Sequence, residues 1–197
     1  MVYLKSAQQI EKIRKSCRLV ARALELAGQS LKPGLTTGDL DKLVGDYIVS
    51  NGGLPANLNY TESGSFPPFP AACRVSVNEE VVHGIPGPRK ILDGDLVTVD
   101  TTVILDGYYG DAARTFLVGK ASQRARRLTE AAEEALRLGM AEARDGARLG
   151  DIGQAIQAFV ESMGYSVVRD FTGHGVGLEM HEAPAILHYG QRGRGTR

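Results

Sequence analysis

Residues 83–111 read HGIPGPRKILDGDLVTVDTTVILDGYYGD, two strand-like runs joined by a tight turn with an aspartate on each. Residues 96–104 are apolar and β-branched, and residues 108–118 carry Tyr, Phe, Thr and Val. Both runs have the composition of strands. Between them, Asp106-Gly107 signals a two-residue hairpin turn, whose central residues tolerate positive φ. With those two residues as the turn, Asp111 faces Thr102. Thr102 lies two residues from Asp100, so Asp100 and Asp111 share a face and sit diagonally across the pair. A bulge at Gly110 would spoil that register. Two carboxylates side by side on an apolar hairpin repel each other, and a buried pair needs a shared proton or a cation. Hard divalent metals take such oxygen ligands. The competing reading has one aspartate facing water or capping a turn.

A chain of 197 residues suits one domain or a close pair of half-domains. Hydrophobic residues make up 43% and charged residues 23%, which fits a soluble globular protein. The formal net charge of zero argues against a dedicated nucleic-acid binder. Cys17 and Cys73 supply neither a disulfide framework nor a cysteine-based zinc site. Cys73 reads as a small buried apolar residue. The N-terminus lacks an apolar signal core and no run reaches membrane-spanning length, so the expected setting is cytoplasmic with no membrane partner.

Outward from the hairpin, residues 6–31 read as an amphipathic helix with Ser6 and Gln9 as a capping box. Its apolar spacing is Ile10, Ile13, Cys17, Val20, Leu24 and Leu31, and Pro33-Gly34 ends it. A second helix starts near Thr37 and Asp39, with Leu40, Leu43, Val44, Tyr47 and Ile48 on its apolar face and Asn51-Gly52-Gly53 as its stop. Residues 54–70 are loop-rich, and 73–82 read as a strand leading to His83. Further helices are expected over 122–144 and 150–163, then a strand over 165–171. The Gly- and His-rich segment FTGHGVGLEMHEAP follows at 171–184.

The chain also echoes itself. GLTTGDLDKLVGDYIVSNG at 34–52 aligns with GARLGDIGQAIQAFVESMG at 146–164, at a constant offset of 112. Gly34, Gly38, Asp39, Leu40, Val44, Tyr47 and Gly52 meet Gly146, Gly150, Asp151, Ile152, Ile156, Phe159 and Gly164. This predicts a duplication of helix, helix and strand-rich half. On that pattern the second copy would run to about residue 228. The second sheet half is therefore expected to lack its final strands, either as a piece of a longer protein or as a shortened form.

Among the residues able to carry chemistry, His83, His174, His181 and His188 are the four histidines, and neutral imidazole binds metal or moves protons near neutral pH. Taken singly, each reads first as a structural or surface residue, and His188 is left as surface. Gly173 and Gly175 flank His174 and allow close backbone approach. Ser63-Gly64-Ser65 lacks the context of a phosphate loop or nucleophile elbow. Arg124, Arg126 and Arg127 read as a solvated helix start, with contact to RNA or a ribosome as the minority reading. Phe66 and Phe69 among prolines wall a small apolar pocket or simply pack locally.

Three segments together resemble the type I methionine aminopeptidases: SVNEEVVHGIP at 76–86, DGDLVTVDTTVILDGYYGD at 93–111 and TGHGVGLEMHEAP at 172–184. The resemblance covers nearly the whole chain from residue 5 and is similar to the short bacterial form. It implies an α+β "pita-bread" fold, a single peptidase domain over 1–197 with half-units at about 5–116 and 117–197, the second incomplete. It implies a dinuclear site of two divalent ions (Co, Mn, Fe or Zn), with Asp100, Asp111 and His174 as metal ligands and Asp111 bridging. His83 and His181 match the two histidines that contact substrate and stabilise the transition state. Phe66, Phe69 and Met180 fall where the methionine pocket is lined. Two further glutamate ligands of the family would fall beyond Arg197. Where the family commonly carries a pocket cysteine, this chain has Arg74, with Cys73 one step earlier. The implied activity is metal-assisted removal of an N-terminal methionine followed by a small residue. The implied partner is a peptide or nascent-chain N-terminus, and a monomer is expected. Two other readings compete: a non-catalytic relative acting as a binding or regulatory module, and a related peptidase cleaving before proline.

Overall fold

The computed structural model describes residues 2–61 and 67–197. In chain order the elements are α1 (Ala7–Ser30), α2 (Thr37–Ser50), β1 (Leu54–Pro55), β2 (Arg74–Val77), β3 (Leu96–Leu105), β4 (Tyr108–Leu117), α3 (Gln123–Glu142), α4 (Leu149–Ser162), β5 (Gly173–Gly175) and β6 (Glu182–Ile186). They group into two units. One comprises Tyr3–Ser122 with Val176–His181, the other Gln123–Gly175 with Glu182–Arg197.

In the first unit the hairpin forms in the expected register. Asp106 (φ 52°) and Gly107 (φ 77°) make the turn, and Thr102 pairs with Asp111. β3 is the central strand. β4 pairs along one edge, and β1 and β2 pair antiparallel with the other. Val97, Val99, Thr101 and Val103 are all buried, so one face of β3 lies in the core. That core adds Val75 and Val77 of β2, Leu19, Val20 and Leu24 of α1, and Leu40, Val44 and Ile48 of α2. Each fully buried side chain of this size stabilises the fold by about 1.5–3 kcal/mol. Leu96, Thr98, Asp100, Thr102 and Ile104 alternate onto the opposite face of β3.

No bulge forms at Gly110, where the β3–β4 register runs unbroken. The glycine serves packing instead. A Cβ there would lie 2.6 Å from the Cys17 backbone nitrogen, so only glycine lets α1 approach the hairpin this closely. Contact at that range also shifts the buried stripe of α1. Its buried residues are Ser16, Leu19, Val20, Ala23, Leu24 and Ala27, whereas Cys17 is exposed and Ile10 is 43% exposed. The helical period was legible in the sequence, but small residues set its phase. Ser16 in addition donates from its hydroxyl to the Tyr108 carbonyl at 2.8 Å.

Two strand expectations need correction. The strand expected over 73–82 is only Arg74–Val77. Asn78 takes φ 56°, accepts from the Leu96 N–H at 2.9 Å and donates to Asp95 Oδ1 at 2.8 Å, which turns the chain out of the sheet. Residues 165–171 form no strand, because no described segment supplies a ladder for them; pairing begins at β5, which joins β6 antiparallel.

The internal echo holds at the level of backbone. α2 and α4 begin and end at positions that differ by the same 112 residues, and α1 and α3 end at the same offset. Gly34 and Gly146 both have positive φ (94° and 83°), and Gly52 and Gly164 share φ 79°. Gly38 and Gly150 both admit close carbonyl neighbours, Gly87 in one case and Gln191 and Arg194 in the other. The caps have diverged. Thr36 and Asp39 form a full capping box. Arg148 stands at the position of Thr36 and has no side-chain acceptor, so only the return bond from the Arg148 N–H to Asp151 remains.

Candidate metal centre

Strand alternation places Asp100 and Asp111 on the same face of the hairpin, away from the face that α1 packs against. Gly110 and Phe116 project toward α1, and Asp111, Ala113 and Thr115 project the other way. The middle of this face is polar, with Thr98 and Thr115 sharing a hydrogen bond of 2.8 Å across the strands, and Leu96 and Ile104 close its two ends. Both aspartates are half-buried. The Thr102 hydroxyl donates to Asp111 Oδ1 at 2.9 Å and fixes the orientation of that carboxylate. Thr102 is itself held by its backbone N–H, which donates to Asn57 Oδ1 at 2.9 Å.

Asp100 has a partner that the sequence reading did not pair with it. Arg74 of β2 lies directly opposite Asp100 in the ladder, and its Nη1 is 3.4 Å from Asp100 Oδ2. The two side chains are only 12% and 23% exposed. The guanidinium carbon also lies 5.4 Å from the centre of the Phe69 ring. The Arg74 Nε is buried and makes no hydrogen bond. A lone charged residue in the strand RVSV was the available signal; its target required the β2–β3 register.

The other expected site residues are reached by loops. The Asn59 N–H donates to the Phe69 carbonyl at 2.8 Å, and the Phe69 N–H donates to the Tyr60 carbonyl at 2.9 Å. Phe66 lies outside the described residues, as does Ser63-Gly64-Ser65. Phe69 is half-buried and faces Arg74. The Tyr60 hydroxyl is 2.9 Å from His181 Nδ1, a contact with no prior signal in the sequence. His181 is exposed and its neighbour Met180 is 3% exposed. Their segment is tied to the hairpin by the Tyr109 N–H, which donates to the Gly177 carbonyl at 2.8 Å.

His83 has φ 61°, an uncommon conformation for a residue with a Cβ. It is held there by Gly84, whose carbonyl accepts from the Val75 N–H at 3.0 Å and whose N–H donates to Ser76 Oγ at 3.1 Å. Gly84 has no room for a side chain, since a Cβ would sit 2.3 Å from the Val75 oxygen.

His174 belongs to the other unit, where it lies on β5 beside a register shift and its Nδ1 is 3.0 Å from the Gly175 carbonyl. Among the described residues no three His, Cys, Asp or Glu side chains converge to cage a metal ion. The paired carboxylates nevertheless have the donor chemistry of a divalent-cation site: hard oxygens on one polar face, one of them oriented by a buried hydroxyl. Arg74, in contact with Asp100, opposes a cation there.

The remaining candidates are bland. Cys73 is buried, its N–H donates to Asp41 Oδ1 at 2.8 Å, and burial foremost pushes its thiol well above the usual range. Arg124, Arg126 and Arg127 are exposed at the start of α3. His188 is half-buried. No helix is long and apolar enough among the described residues to cross a membrane.

Residues 11–197 match the model of metallopeptidase family M24. The chain is 46% identical over 195 residues to methionine aminopeptidase B of Synechocystis sp., covering 98% of this chain and 71% of that protein. It is 42% identical over 193 residues to the methionine aminopeptidase of Escherichia coli K12, covering 97% and 71%. The crystal structure of methionine aminopeptidase from Rickettsia prowazekii superposes with a TM-score of 0.94 at 40% identity, covering 99% of this chain and 76% of that one. The prolidase from Pyrococcus furiosus superposes at 0.81 with 24% identity, covering 95% and 53%, a likeness of fold alone. These neighbours share the pita-bread fold expected from the sequence. With the family model spanning nearly the whole chain and such relatives on either side of it, the chain belongs to metallopeptidase family M24.

Proposed function

We propose that this chain is an aminopeptidase that removes an N-terminal methionine from peptides and nascent proteins when the second residue is small. The reading is supported by the methionine aminopeptidases among its relatives and by one observation above the others: Asp100 and Asp111 share a face of the hairpin. On this reading Asp100, Asp111 and His174 are metal ligands, within a single pita-bread domain of two half-units at about 5–116 and 117–197.

The chemistry that two divalent ions (Co, Mn, Fe or Zn) supply when bound is a water activated to a nucleophile near neutral pH. The protein's own residues do the rest. Asp100 and Asp111 contribute negative charge, and Thr102 holds one Asp111 oxygen in place. His83 and His181 donate to the oxyanion that develops at the scissile carbonyl and orient the first peptide unit. Tyr60, bonded to His181 Nδ1, leaves Nε2 as the nitrogen that faces substrate. Phe69 and Met180 line the methionine pocket and exclude water from it.

The test is methionine release from Met-Ala-Ser, Met-Leu-Ser and the dipeptide Ala-Pro, with Mn²⁺ or Co²⁺. Cleavage of Met-Ala-Ser at least tenfold faster than Met-Leu-Ser, none of Ala-Pro, and loss on chelation are expected. Preference for Ala-Pro would assign a peptidase cleaving before proline.

A second reading is favoured by a specific observation. A guanidinium already paired with Asp100 suits a relative that keeps the fold as a binding or regulatory module without catalysis.

A further inference from the structure

We infer that Arg74 is a built-in counter-ion for Asp100 that competes with the divalent cation for this carboxylate and sets the affinity of the metal site. The inference rests on the assignment of Asp100 as a metal ligand made above.

Four observations carry it. Arg74 and Asp100 are cross-strand partners, so the backbone ladder itself fixes their separation. Their charged groups meet at 3.4 Å with both side chains largely withdrawn from water. A guanidinium cannot lose its proton to make way, since it stays charged at any workable pH. Its position is only half satisfied: Nε is buried without a hydrogen bond, and the far side of the group rests near the Phe69 ring rather than on a second carboxylate.

These facts define a competition. A cation at Asp100 must either displace Arg74 or share the carboxylate with a fixed positive charge a few ångströms away. Either route weakens binding, because the lost ion pair and the charge repulsion both count against the metal. The weakly held Nε and the soft aromatic contact leave Arg74 able to swing aside when metal is abundant. Metal loading would then depend on concentration rather than being permanent. A neutral residue at position 74 would remove the competitor without touching a ligand. The proposal therefore concerns the affinity of the site, not the chemistry performed there.

The experiment is Mn²⁺ binding by isothermal calorimetry and by loss of the free-ion paramagnetic resonance signal. It uses the 197-residue chain, Arg74→Gln, Arg74→Lys, and Arg74→Gln combined with Asp100→Asn. Arg74→Gln should bind Mn²⁺ at least tenfold more tightly than the parent. Arg74→Lys, which keeps the charge, should remain within about threefold of the parent. Adding Asp100→Asn should cancel the gain. Equal affinities of the parent and Arg74→Gln, including no binding by either up to millimolar Mn²⁺, would overturn the role of Arg74. A gain that survives Asp100→Asn would instead overturn Asp100 as the ligand. Should Arg74→Gln not fold, the parent is followed by the ¹⁵N signal of Arg74 Nε during a Zn²⁺ titration. A shift that tracks saturation supports the competition, and an unmoved signal contradicts it.

Discussion

At the scale of single residues, the site is governed by what lies across the strands from each aspartate. Asp111 faces Thr102 and receives a hydrogen bond; Asp100 faces Arg74 and receives a positive charge. These neighbours push metal binding in opposite directions, one by orienting an acceptor and the other by occupying it. Thr102→Val keeps the shape of a fully buried side chain and removes only the donor. It should weaken divalent-metal binding by about 10–100-fold, as loss of an outer-shell partner does elsewhere, while costing about 1 kcal/mol of stability. Calorimetry with Mn²⁺ and a urea melt of the same preparation measure the two effects separately. Asp100 and Asp111 were legible because a two-residue turn and strict alternation leave a single register. Arg74 against Asp100 was not, because pairing between β2 and β3 spans a long loop that no local signal constrains. The contact of Tyr60 with His181, 121 positions apart, was hidden for the same reason.

At the scale of elements, helix ends were the easiest features to read and the internal echo the most informative. The capping box of α1, the positive-φ glycines after α2 and α4, and the constant offset of 112 all appear as the sequence implied. What failed was the extent of strands. β2 is cut short by the backbone turn at Asn78, and residues 165–171 lack a ladder, neither of which composition reveals.

The paired caps also give a pH dependence. Asp39 is held below the usual carboxylate range by hydrogen bonds from the Thr36 hydroxyl and N–H. Asp151 is held below it by the Gly193 and Arg148 N–H groups. Each therefore has a lower pKa folded than unfolded, so the unfolded chain binds more protons in the acidic window just below the ordinary carboxylate range. The stability they contribute is complete above about pH 4–5 and is lost as the pH falls through the folded values. Urea midpoints of the parent and of the Asp39→Ala, Asp151→Ala chain should differ at pH 6 and converge toward pH 3. A gap that is constant across this range would remove these carboxylates from the account.

At the scale of the whole molecule, two units with matching helix pairs carry the expected site residues in different parts of the chain. The hairpin aspartates, His83, His181, Phe69 and Met180 belong to one unit, and His174 to the other. Membership of metallopeptidase family M24 follows from the match across residues 11–197, and the close superposition on methionine aminopeptidases agrees with it. The proposed metal site lies on the hairpin face that carries Asp100 and Asp111. Crystals grown with Mn²⁺ and measured above the manganese absorption edge test it most directly. An anomalous peak is expected within coordination distance, about 2.1–2.3 Å, of carboxylate oxygens of both Asp100 and Asp111. A peak on other residues, or none at these carboxylates under saturating Mn²⁺, would contradict it.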